Sequence, residues 1–301
     1  MDKERAIIAR FANALNGDDG AVLSSRTSRA SVNSSLCAKS VSNLNCAGGA
    51  IDENIAISKD LFIEDVHFRR SWLTPYQIGA KAAIVNISDA IAMNASPKYA
   101  LFGLGVPRNM PQKDVSALCD GVRETLESYG ASVVGGDTVA SDKITISLTI
   151  ISNLNARRAL ERGGAKLGDV VFFTGSLGGS LKGLRAVLNG GRIARNSRFA
   201  RPVLREEFVR AAARWLSAGM DISDGLASDL PKLLAGRALK YKKKLSKFEI
   251  ISGEEYEMLC ACSPRVFARV RAAARQTRTP LTQIGKIIKG RCEIHGKFSH
   301  F

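Results

Sequence analysis

The sequence predicts an α/β protein of two domains. Its 301 residues have 45% hydrophobic content, which is enough to form two domain cores. Segments with strand-like apolar patterns alternate with segments of helical periodicity along the chain. Polarity rises over residues 153–158, and the strand pattern then starts again. We therefore expect an N-terminal domain over residues 1–153 and a C-terminal domain over residues 154–301.

In the first half, Thr74 and Pro75 are typical of a helix start, because threonine caps the first turn and proline fits within it. Residues 24–49 are small and polar and cannot build a core, so we expect a flexible surface insertion there. The elements expected in this half are a helix over 2–15, an apolar piece at 21–23, strands over 55–58 and 61–68, a helix from 75 to about 93, a strand over 99–106, a helix over 112–129, and strands over 132–134 and 144–152.

In the second half, the segment GSLGGS at residues 175–180 connects an expected strand to an expected helix. Free N–H groups at a helix start bind phosphate, although a glycine-rich connection without a ligand accounts for the segment equally well. The elements expected here are strands over 170–174, 218–221, 248–251, 256–262, 281–287 and 291–294, and helices over 181–188, 204–216, 223–234 and 264–275.

The charge of the chain is strongly positive, with 44 Lys plus Arg against 28 Asp plus Glu. Such a charge is typical of nucleic-acid-binding proteins. Apart from residues 240–244, however, the basic residues are scattered, and few aromatic residues lie between them to stack on bases. We therefore expect a solvated surface that attracts an anionic substrate, and no nucleic-acid partner.

Cysteine spacing and hydropathy indicate in which cellular compartment the protein is expected. The six cysteines have no zinc-ligand spacing and are expected to be reduced thiols, with Cys260 and Cys262 buried on one strand face. No apolar run approaches the roughly 20 residues that span a membrane, and the N-terminus lacks the apolar segment of a signal peptide. We expect a cytoplasmic protein without a membrane partner.

Acidic residues recur beside small residues in five short motifs. An Asp beside Gly is commonly a turn or a helix cap, yet five clusters of carboxylates are costly to bring together without a counter-ion. Oxygen ligands without His or Cys suit Mg²⁺, which also binds the phosphate oxygens of a substrate. The pattern predicts a nucleotide site with several Mg²⁺ ions. The motifs are Gly17-Asp18-Asp19, Ser58-Lys59-Asp60, Asn86-Ile87-Ser88-Asp89, Gly135-Gly136-Asp137-Thr138 and Asp221-Ile222-Ser223-Asp224-Gly225.

Two of these motifs carry more specific expectations. Asn86 and Asp89 are three residues apart on an expected helix, so they project from one face toward the same site. Ser223 and Asp224 stand where a helix cap is expected, and capping alone would account for them. The chain has no GxxxxGK[ST] loop, no GxGxxG after a strand and no protein-kinase catalytic sequence, so any use of ATP needs another architecture.

Eight segments follow one another along the chain: GDDGAV, SKDLFIEDVHF, KAAIVNISDAIAMNASP, GGDT, RGGAKLGD, FTGSLGGSLKGL, MDISDGLASDL and SGEEYEM. Together they closely resemble the thiamine-monophosphate kinase family, whose relatives are aminoimidazole ribonucleotide synthetase, selenophosphate synthetase and the hydrogenase maturation dehydratase. The resemblance implies a two-domain α/β fold with mixed sheets packed by helices, like that of aminoimidazole ribonucleotide synthetase. It also implies a homodimer formed through the N-terminal domains.

The activity implied by the resemblance is transfer of the γ-phosphoryl group of ATP to thiamine monophosphate, which gives thiamine diphosphate and ADP. Phosphoryl transfer needs positioning and charge neutralisation, so neither a protein nucleophile nor a general base is required. By similarity, the Mg²⁺ ligands would be Asp19, Ser58, Asp60, Asp89, Asp137, Asp221 and Asp224, with Asp18 and Lys59 beside them. ATP would contact Gly136, Asp137, Arg162 and Ser223, and thiamine monophosphate would contact His67, Glu254 and Phe298.

Three of these residues have a structural interpretation that fits the sequence as well as the functional one does. His67 can be a histidine satisfied in a loop, Phe298 a terminal aromatic packed on its own domain, and Glu254 part of a solvated turn. Lys59 stands where the family commonly has Thr, and we expect its ammonium to support phosphate binding in place of a metal contact.

Two other functions compete with the kinase. A sister synthetase of the same fold is one, although the reactive Cys near the N-terminus and the C-terminal Cys of those enzymes are missing here. The other is a non-catalytic nucleotide-binding or RNA-associated protein, which the positive charge and Lys59 favour.

Overall fold

The computed structural model describes the backbone of residues 21–24, 54–156, 158–194 and 196–290, and the side chains within the last three ranges. The helix expected over 2–15, the insertion expected over 24–49, apart from Ser24, and the strand expected over 291–294 lie outside the described residues.

The first half forms a mixed five-stranded sheet with the order β1-β2-β5-β3-β4, in which only β3 and β4 are parallel neighbours. Two helices, α1 and α2, pack on one of its faces, and along β5 every second side chain is buried beneath them. The elements are β1 (Ala21–Ser24), β2 (Asn54–Ile63), α1 (Pro75–Ala92), β3 (Ala95–Val106), α2 (Gln112–Ser128), β4 (Ser132–Ala140) and β5 (Thr145–Leu154).

The helix start at Thr74 is confirmed. The Thr74 side chain accepts a hydrogen bond from the backbone of Gln77, and the Gln77 side chain accepts one from the backbone of Thr74. Helices α1 and α2 cross in close contact through glycine, since a Cβ on Gly79 would lie 2.0 Å from the carbonyl oxygen of Leu118. This crossing helps to fix the position of α1, the helix that carries Asp89.

The second half forms a five-stranded sheet with the order β7-β9-β6-β10-β8, in which every neighbouring pair is antiparallel. Strands β6 and β9 are buried at every position, as expected for strands covered on both faces. The elements are β6 (Val170–Thr174), α3 (Gly179–Leu188), α4 (Glu206–Ala212), β7 (Ala218–Asp221), α5 (Leu226–Leu234), β8 (Ala238–Tyr241), α6 (Lys247–Ile251), β9 (Met258–Cys262), α7 (Phe267–Gln276) and β10 (Leu281–Ile288), with 3₁₀ turns at Arg162–Gly164 and Ala213–Trp215.

Two expected breaks in the first sheet are wrong. The strands expected over 55–58 and 61–68 are one strand, β2, because Lys59 and Asp60 continue the antiparallel ladder with β5. The strand expected to end at residue 134 also continues through the Gly-Gly-Asp-Thr motif, because residues 135–140 pair in parallel with residues 101–106 of β3. In both cases pairing with a neighbouring strand overrides local turn propensity.

Two elements of the second half also differ from expectation. Residues 248–251, expected as a strand, belong to helix α6, whose start is fixed by a capping box between Ser246 and Glu249. Strand β8 was not expected at all, and its Lys-rich end gives no alternation of apolar and polar residues. The helix expected to begin at Ser223 begins instead at Leu226.

The two sheets are joined by continuous apolar packing. One buried cluster contains Phe62 and Leu148, from the helix-covered face of the first sheet, together with Phe172 and Val270 of the second half. The boundary at residue 153 stays a prediction, because this packing crosses it. Among the described residues, no helix is both long enough and apolar enough to cross a membrane.

Candidate functional site

Two acidic motifs of the first half converge where β2 meets α1. The backbone N–H of Asp60 donates to the Asn86 side-chain oxygen at 2.9 Å, and the Asp60 and Asp89 carboxyl groups are hydrogen-bonded to each other. Burial raises the pKa of Asp60, and the Asp224 carboxylate adds to that effect, whereas the hydrogen bond to Asp89 and the charge of Lys59 oppose it. Asn86 and Asp89 thus both contact Asp60, in agreement with their spacing on one helix, while the role of Asp89 as a metal ligand stays a prediction.

Asp221 brings the second half to the same place. Its carboxylate accepts a hydrogen bond of 2.5 Å from the hydroxyl of Ser88, which lies on α1. The pKa of Asp221 is raised to about 6, chiefly by burial and also by the charges of Asp229 and Asp60, against the lowering effects of Ser88 and Arg162. Asp221 therefore lies within electrostatic reach of both Asp60 and Arg162.

Asp229 is an acidic residue that the sequence motifs did not single out as a site residue. Its carboxylate accepts hydrogen bonds from the backbone N–H of Asp224 at 3.0 Å and from the Lys232 ammonium at 2.9 Å. Burial raises the pKa of Asp229 to about 6 in spite of Lys232. Lys232 also contacts the Asp224 carboxylate at 2.7 Å, so Asp229 and Lys232 together hold the loop that carries Asp224.

The structure thus groups Asp60, Asp89, Asp221 and Asp224, whose carboxylates interact with one another. Among the described residues, no three His, Cys, Asp or Glu side chains already form a metal cage. Mg²⁺ does not need one, because it binds one or two carboxylates and completes its shell with water and substrate phosphates. Oxygen-only donors fit such a cation, and so do the raised pKa values of Asp60 and Asp221, because a bound cation would stabilise the ionised carboxylates.

Ser58, also predicted as a ligand, is buried on the helix-covered side of β2, and its hydroxyl donates to the carbonyl oxygen of Asn86 at 3.4 Å. Lys59 is exposed, and its ammonium contacts the hydroxyl of Ser147 on β5. Because successive side chains of a strand point to opposite faces, Lys59 lies on the face opposite to Ser58 and Asp60. The structure therefore does not place the Lys59 ammonium among the grouped carboxylates.

Gly136 and Asp137 lie on β4, an edge strand whose nine residues are all exposed. The Asp137 carboxylate accepts a hydrogen bond of 2.8 Å from the backbone N–H of the next residue, Thr138. Gly136 has a φ of +154°, and a Cβ there would lie 1.8 Å from the carbonyl oxygen of Phe102. Glycine is required at this position for β3 and β4 to pair.

His67 follows β2, as expected, in a tight turn. Its Nδ1 accepts a hydrogen bond of 3.0 Å from the backbone N–H of Ile63, and its ring lies 5.3 Å from that of Phe62. These contacts fix the ring and agree with the structural interpretation of His67, while its role toward thiamine monophosphate stays a prediction.

Glu254 is held in a left-handed conformation, with a φ of +53°. Its backbone N–H donates to the carbonyl oxygen of Ser223 at 2.6 Å, and its carboxylate pairs at 2.9 Å with the ammonium of Lys81 from α1. The Lys81 side chain is 0% exposed, and its ammonium also lies 4.3 Å from the centre of the Phe199 ring. Glu254 therefore belongs to a buried ion pair between the two halves, not to a solvated turn.

The anion site expected at residues 175–180 is already occupied by a side chain of the protein. The backbone N–H groups of Gly178 and Ser180 donate to one carboxylate oxygen of Glu255, at 2.7 and 3.0 Å. The next N–H, that of Leu181, donates to the hydroxyl of Ser252 at 3.2 Å. The buried Glu255 carboxylate thus satisfies the free N–H groups at the start of α3, where the sequence also fitted a bound phosphate.

Asp18, Asp19 and Phe298 lie outside the described residues, and their predicted roles stay predictions. Of the predicted ATP contacts, Arg162 lies near Asp221, and Ser223 supports Glu254 through its carbonyl oxygen. Sequence reasoning assigned no role to Lys81, Ser88, Asp229 and Lys232, which hold the acidic residues or Glu254 in place.

The chain is similar to known proteins in both halves. Residues 17–153 match a family model described as AIR synthase related protein, N-terminal domain. The thiamine-monophosphate kinase of Bacillus subtilis (strain 168) is 30% identical over 254 residues, which are 76% of this chain and 78% of that protein. The thiamine-monophosphate kinase of Aquifex aeolicus (strain VF5) is 33% identical over 233 residues, which are 69% of this chain and 75% of that protein.

A solved structure of AaThiL complexed with AMPPCP and TMP has the same fold, with a TM-score of 0.75 and 27% identity over 99% of this chain and 93% of that one. The predicted α/β architecture, with two sheets packed by helices, is confirmed. Since these two kinases match at 30% and 33% identity over more than two thirds of both chains, the chain belongs to the thiamine-monophosphate kinase family of enzymes.

Proposed function

We propose that the protein transfers the γ-phosphoryl group of ATP directly to thiamine monophosphate, in line and with the assistance of Mg²⁺. The observation that carries the proposal is the meeting of Asp60 and Asp89 from the first half with Asp221 and Asp224 from the second in one partly buried group of oxygens. The complex of AaThiL with AMPPCP, an analogue of ATP, and TMP supports the same pair of substrates.

The four grouped carboxylates would hold Mg²⁺, with Ser58, Asp137 and Asp19 as further ligands predicted from the family resemblance. Bound there, Mg²⁺ supplies neutralisation of the phosphate charges as the two phosphate groups approach. The protein contributes the positions of these ligands. Ser88 fixes the Asp221 carboxylate by its 2.5 Å hydrogen bond, and Lys232 fixes Asp224 and Asp229.

Direct transfer requires no covalent intermediate on the protein. The acceptor phosphate is ionised near neutral pH and is itself the nucleophile, so positioning and charge neutralisation are sufficient. Burial raises the pKa of the thiols of Cys260 and Cys262, which keeps these two cysteines protonated and unreactive. The carboxylates that remain at the site are assigned to metal binding.

We also infer that the protein forms a homodimer through the first sheet. The face of this sheet that is not covered by α1 and α2 exposes large apolar side chains on β2, β3 and β4, namely Leu61, Tyr99, Leu101 and Val139. An exposed sheet face with apolar side chains favours a covering partner. A second copy presents the same apolar face and is therefore a self-complementary partner.

The proposal is tested by measuring ADP formation from ATP with and without thiamine monophosphate. We expect ADP to form only when thiamine monophosphate and Mg²⁺ are both present. ADP formation that is independent of thiamine monophosphate would favour a sister synthetase, and ATP binding without turnover would favour the non-catalytic alternative. Protein that retains label after incubation with γ-labelled ATP alone would show a phosphoenzyme and exclude direct transfer.

A further inference from the structure

A cavity separate from the grouped carboxylates lies between the end of the first half and the helices of the second. Its volume is about 1030 Å³, close to that of a site for a small organic ligand. It is bounded by residues 155–156, 158–161, 164 and 166, by the 3₁₀ turn at Ala213–Trp215 and by helix α7. Of the described residues predicted for ATP, thiamine monophosphate or Mg²⁺, none lines it.

The lining of this cavity is strongly basic. Its only acidic lining residue among those described is Glu161, against the five cations Arg158, Lys166, Arg210, Arg214 and Arg269. Arg210 is paired with Glu206, but Arg158, Lys166 and Arg269 make no ion pair with any described carboxylate. An excess of cations around a concave surface attracts an anion and, through arginine, favours a phosphate.

Trp215 supplies a flat apolar surface in the same cavity. The guanidinium of Arg214 lies 4.2 Å from the centre of its ring, so the indole and the cation are stacked. A planar ring of a ligand gains by stacking on such a tryptophan, as bases do in nucleic-acid-binding proteins.

The third feature of the cavity is the buried side-chain oxygen of Asn94. It lines the cavity, is only 6% exposed, and its Oδ1 has no hydrogen-bond partner among the described residues. A buried acceptor without a donor is costly, and native proteins rarely keep one without a bound water, ion or ligand. A ligand that carries a hydroxyl or amino group would satisfy it.

We propose that this cavity is a second ligand site, which binds a small phosphorylated molecule with a planar ring and a hydroxyl or amino donor. A nucleoside monophosphate has all three features. Its phosphate would lie on the arginines Arg158 and Arg269, its base on Trp215, and a hydroxyl or amino hydrogen would be donated to Oδ1 of Asn94.

The chain has two tryptophans, so Trp72→Phe leaves Trp215 as the sole tryptophan reporter. We expect AMP, added in the presence of EDTA so that the Mg²⁺-dependent site stays inactive, to change this fluorescence saturably. Adenosine lacks the phosphate and ribose 5-phosphate lacks the planar base, and each is expected to bind at least tenfold more weakly. Calorimetry on the unsubstituted chain repeats the comparison without any variant. An absence of saturable AMP binding in both measurements overturns the proposal.

Variants locate the bound AMP. The double variant Arg158→Ala, Arg269→Ala should weaken AMP binding at least tenfold and leave the kinase rate unchanged. Arg271→Ala is the matched control, because Arg271 is exposed on the same helix and does not line the cavity.

Asn94→Gly, which keeps the left-handed φ of +59° without strain, should also weaken AMP binding. Unchanged AMP affinity in the double variant, or an equal loss in Asp89→Asn, would place AMP at the kinase site and overturn the proposal. Because AMP binding is measured without Mg²⁺, its result does not depend on the outcome of the kinase assay.

Discussion

Lys59 and Asp60 are neighbours in the chain, yet their side chains lie on opposite faces of β2. Asp60 is hydrogen-bonded to Asp89, whereas the Lys59 ammonium contacts Ser147 on the exposed face. The charge of Lys59 reaches Asp60 only through space, where it opposes the rise in the carboxyl pKa.

We therefore expect Lys59→Thr to change the Mg²⁺ requirement and the KM for ATP by less than about threefold, because the ammonium lies on the face of β2 opposite to the grouped carboxylates and affects them only through space. The measurement is a Mg²⁺ titration of the kinase rate, with Lys59→Arg as the control that keeps the charge. A much larger effect confined to Lys59→Thr would mean that the ammonium contacts the phosphates, as the sequence alone suggested.

Glu257 is the centre of a buried ionic network in the second half. Its carboxylate accepts two hydrogen bonds of 2.7 Å from Arg205, one of 2.5 Å from Arg198 and one of 2.7 Å from the hydroxyl of Thr174. Burial alone raises the pKa of this carboxyl, but the two arginines outweigh burial and lower the pKa below its ordinary value of 4.5.

The network makes stability depend on pH. Because the folded pKa of Glu257 is lowered, its stabilising contribution is present above pH 4.5 and is lost as pH falls through the lower folded value. We expect Glu257→Gln to lower the free energy of unfolding by about 3–5 kcal/mol at pH 7, since it removes the buried charge that pairs with the partly buried Arg198 and Arg205, and by less in acid. Denaturant unfolding at several pH values measures this. Glu206→Gln, which breaks the exposed pair with Arg210, is the control and should cost less than about 1 kcal/mol. A difference between parent and Glu257→Gln that widens in acid would contradict the account.

The roles of single residues were predictable when they depended on local spacing, and unpredictable when they depended on distant partners. The three-residue spacing of Asn86 and Asp89 placed both toward Asp60. Nothing near Lys81 in the sequence indicates that it pairs with Glu254, which is 173 residues away. Likewise, Glu255 takes the place of a phosphate at α3 because the fold brings two distant segments together.

At the scale of elements, β4 continues through the Gly-Gly-Asp-Thr motif because its glycine permits the pairing. Only a residue without a side chain fits at Gly136, where the backbone has a φ of +154° and the Phe102 carbonyl approaches. The pairing in turn sets the position of Asp137, the next residue of the strand.

We expect Gly136→Ala to destabilise the protein by about 1–3 kcal/mol and to lower the kinase rate, because β4 must move away from β3. Gly135→Ala is the matched control, since a Cβ there meets only a flexible leucine methyl group at 3.3 Å. Melting temperature and kinase rate together measure the effect. Equal behaviour of the two variants would show that the close approach to Phe102 is not a constraint.

Element boundaries were predictable from capping signals where these were used. The Thr74–Gln77 box marks the start of α1, and the equivalent Ser246–Glu249 box is the sequence signal that predicts α6 as a helix. Strand β8 could not have been predicted, because its Lys-rich end carries no strand pattern and pairing with β10 alone defines it.

At the scale of the whole molecule, the site exists because two halves of the chain meet. The hydrogen bond from Ser88 to Asp221 joins residues 133 positions apart. The ion pair between Lys81 and Glu254 joins residues 173 positions apart and also links α1 to the second half. The sequence motifs indicate which residues are chemically suited to the site, and the fold decides which of them are neighbours.

The uncovered face of the first sheet gives the prediction at this scale. Leu101, 42% exposed on β3, lies on that face, so Leu101→Glu should convert a homodimer into monomers. Light scattering of the eluted protein measures the mass. Leu188→Glu, at a leucine 56% exposed on α3, is the control and should leave the dimer intact. A parent protein that elutes as a monomer would contradict the inferred dimer.

The central claim is that the grouped carboxylates support Mg²⁺-dependent phosphorylation of thiamine monophosphate. Phosphorus NMR of a mixture of the protein, ATP, thiamine monophosphate and Mg²⁺ tests it most directly, because substrates and products are all visible. We expect thiamine diphosphate and ADP to appear at equal rates, to stop when EDTA is added, and to slow at least roughly hundredfold in Asp89→Asn that melts like the parent. Thiamine diphosphate formed by Asp89→Asn at the parent's rate, or ADP formed without thiamine diphosphate, would contradict the account.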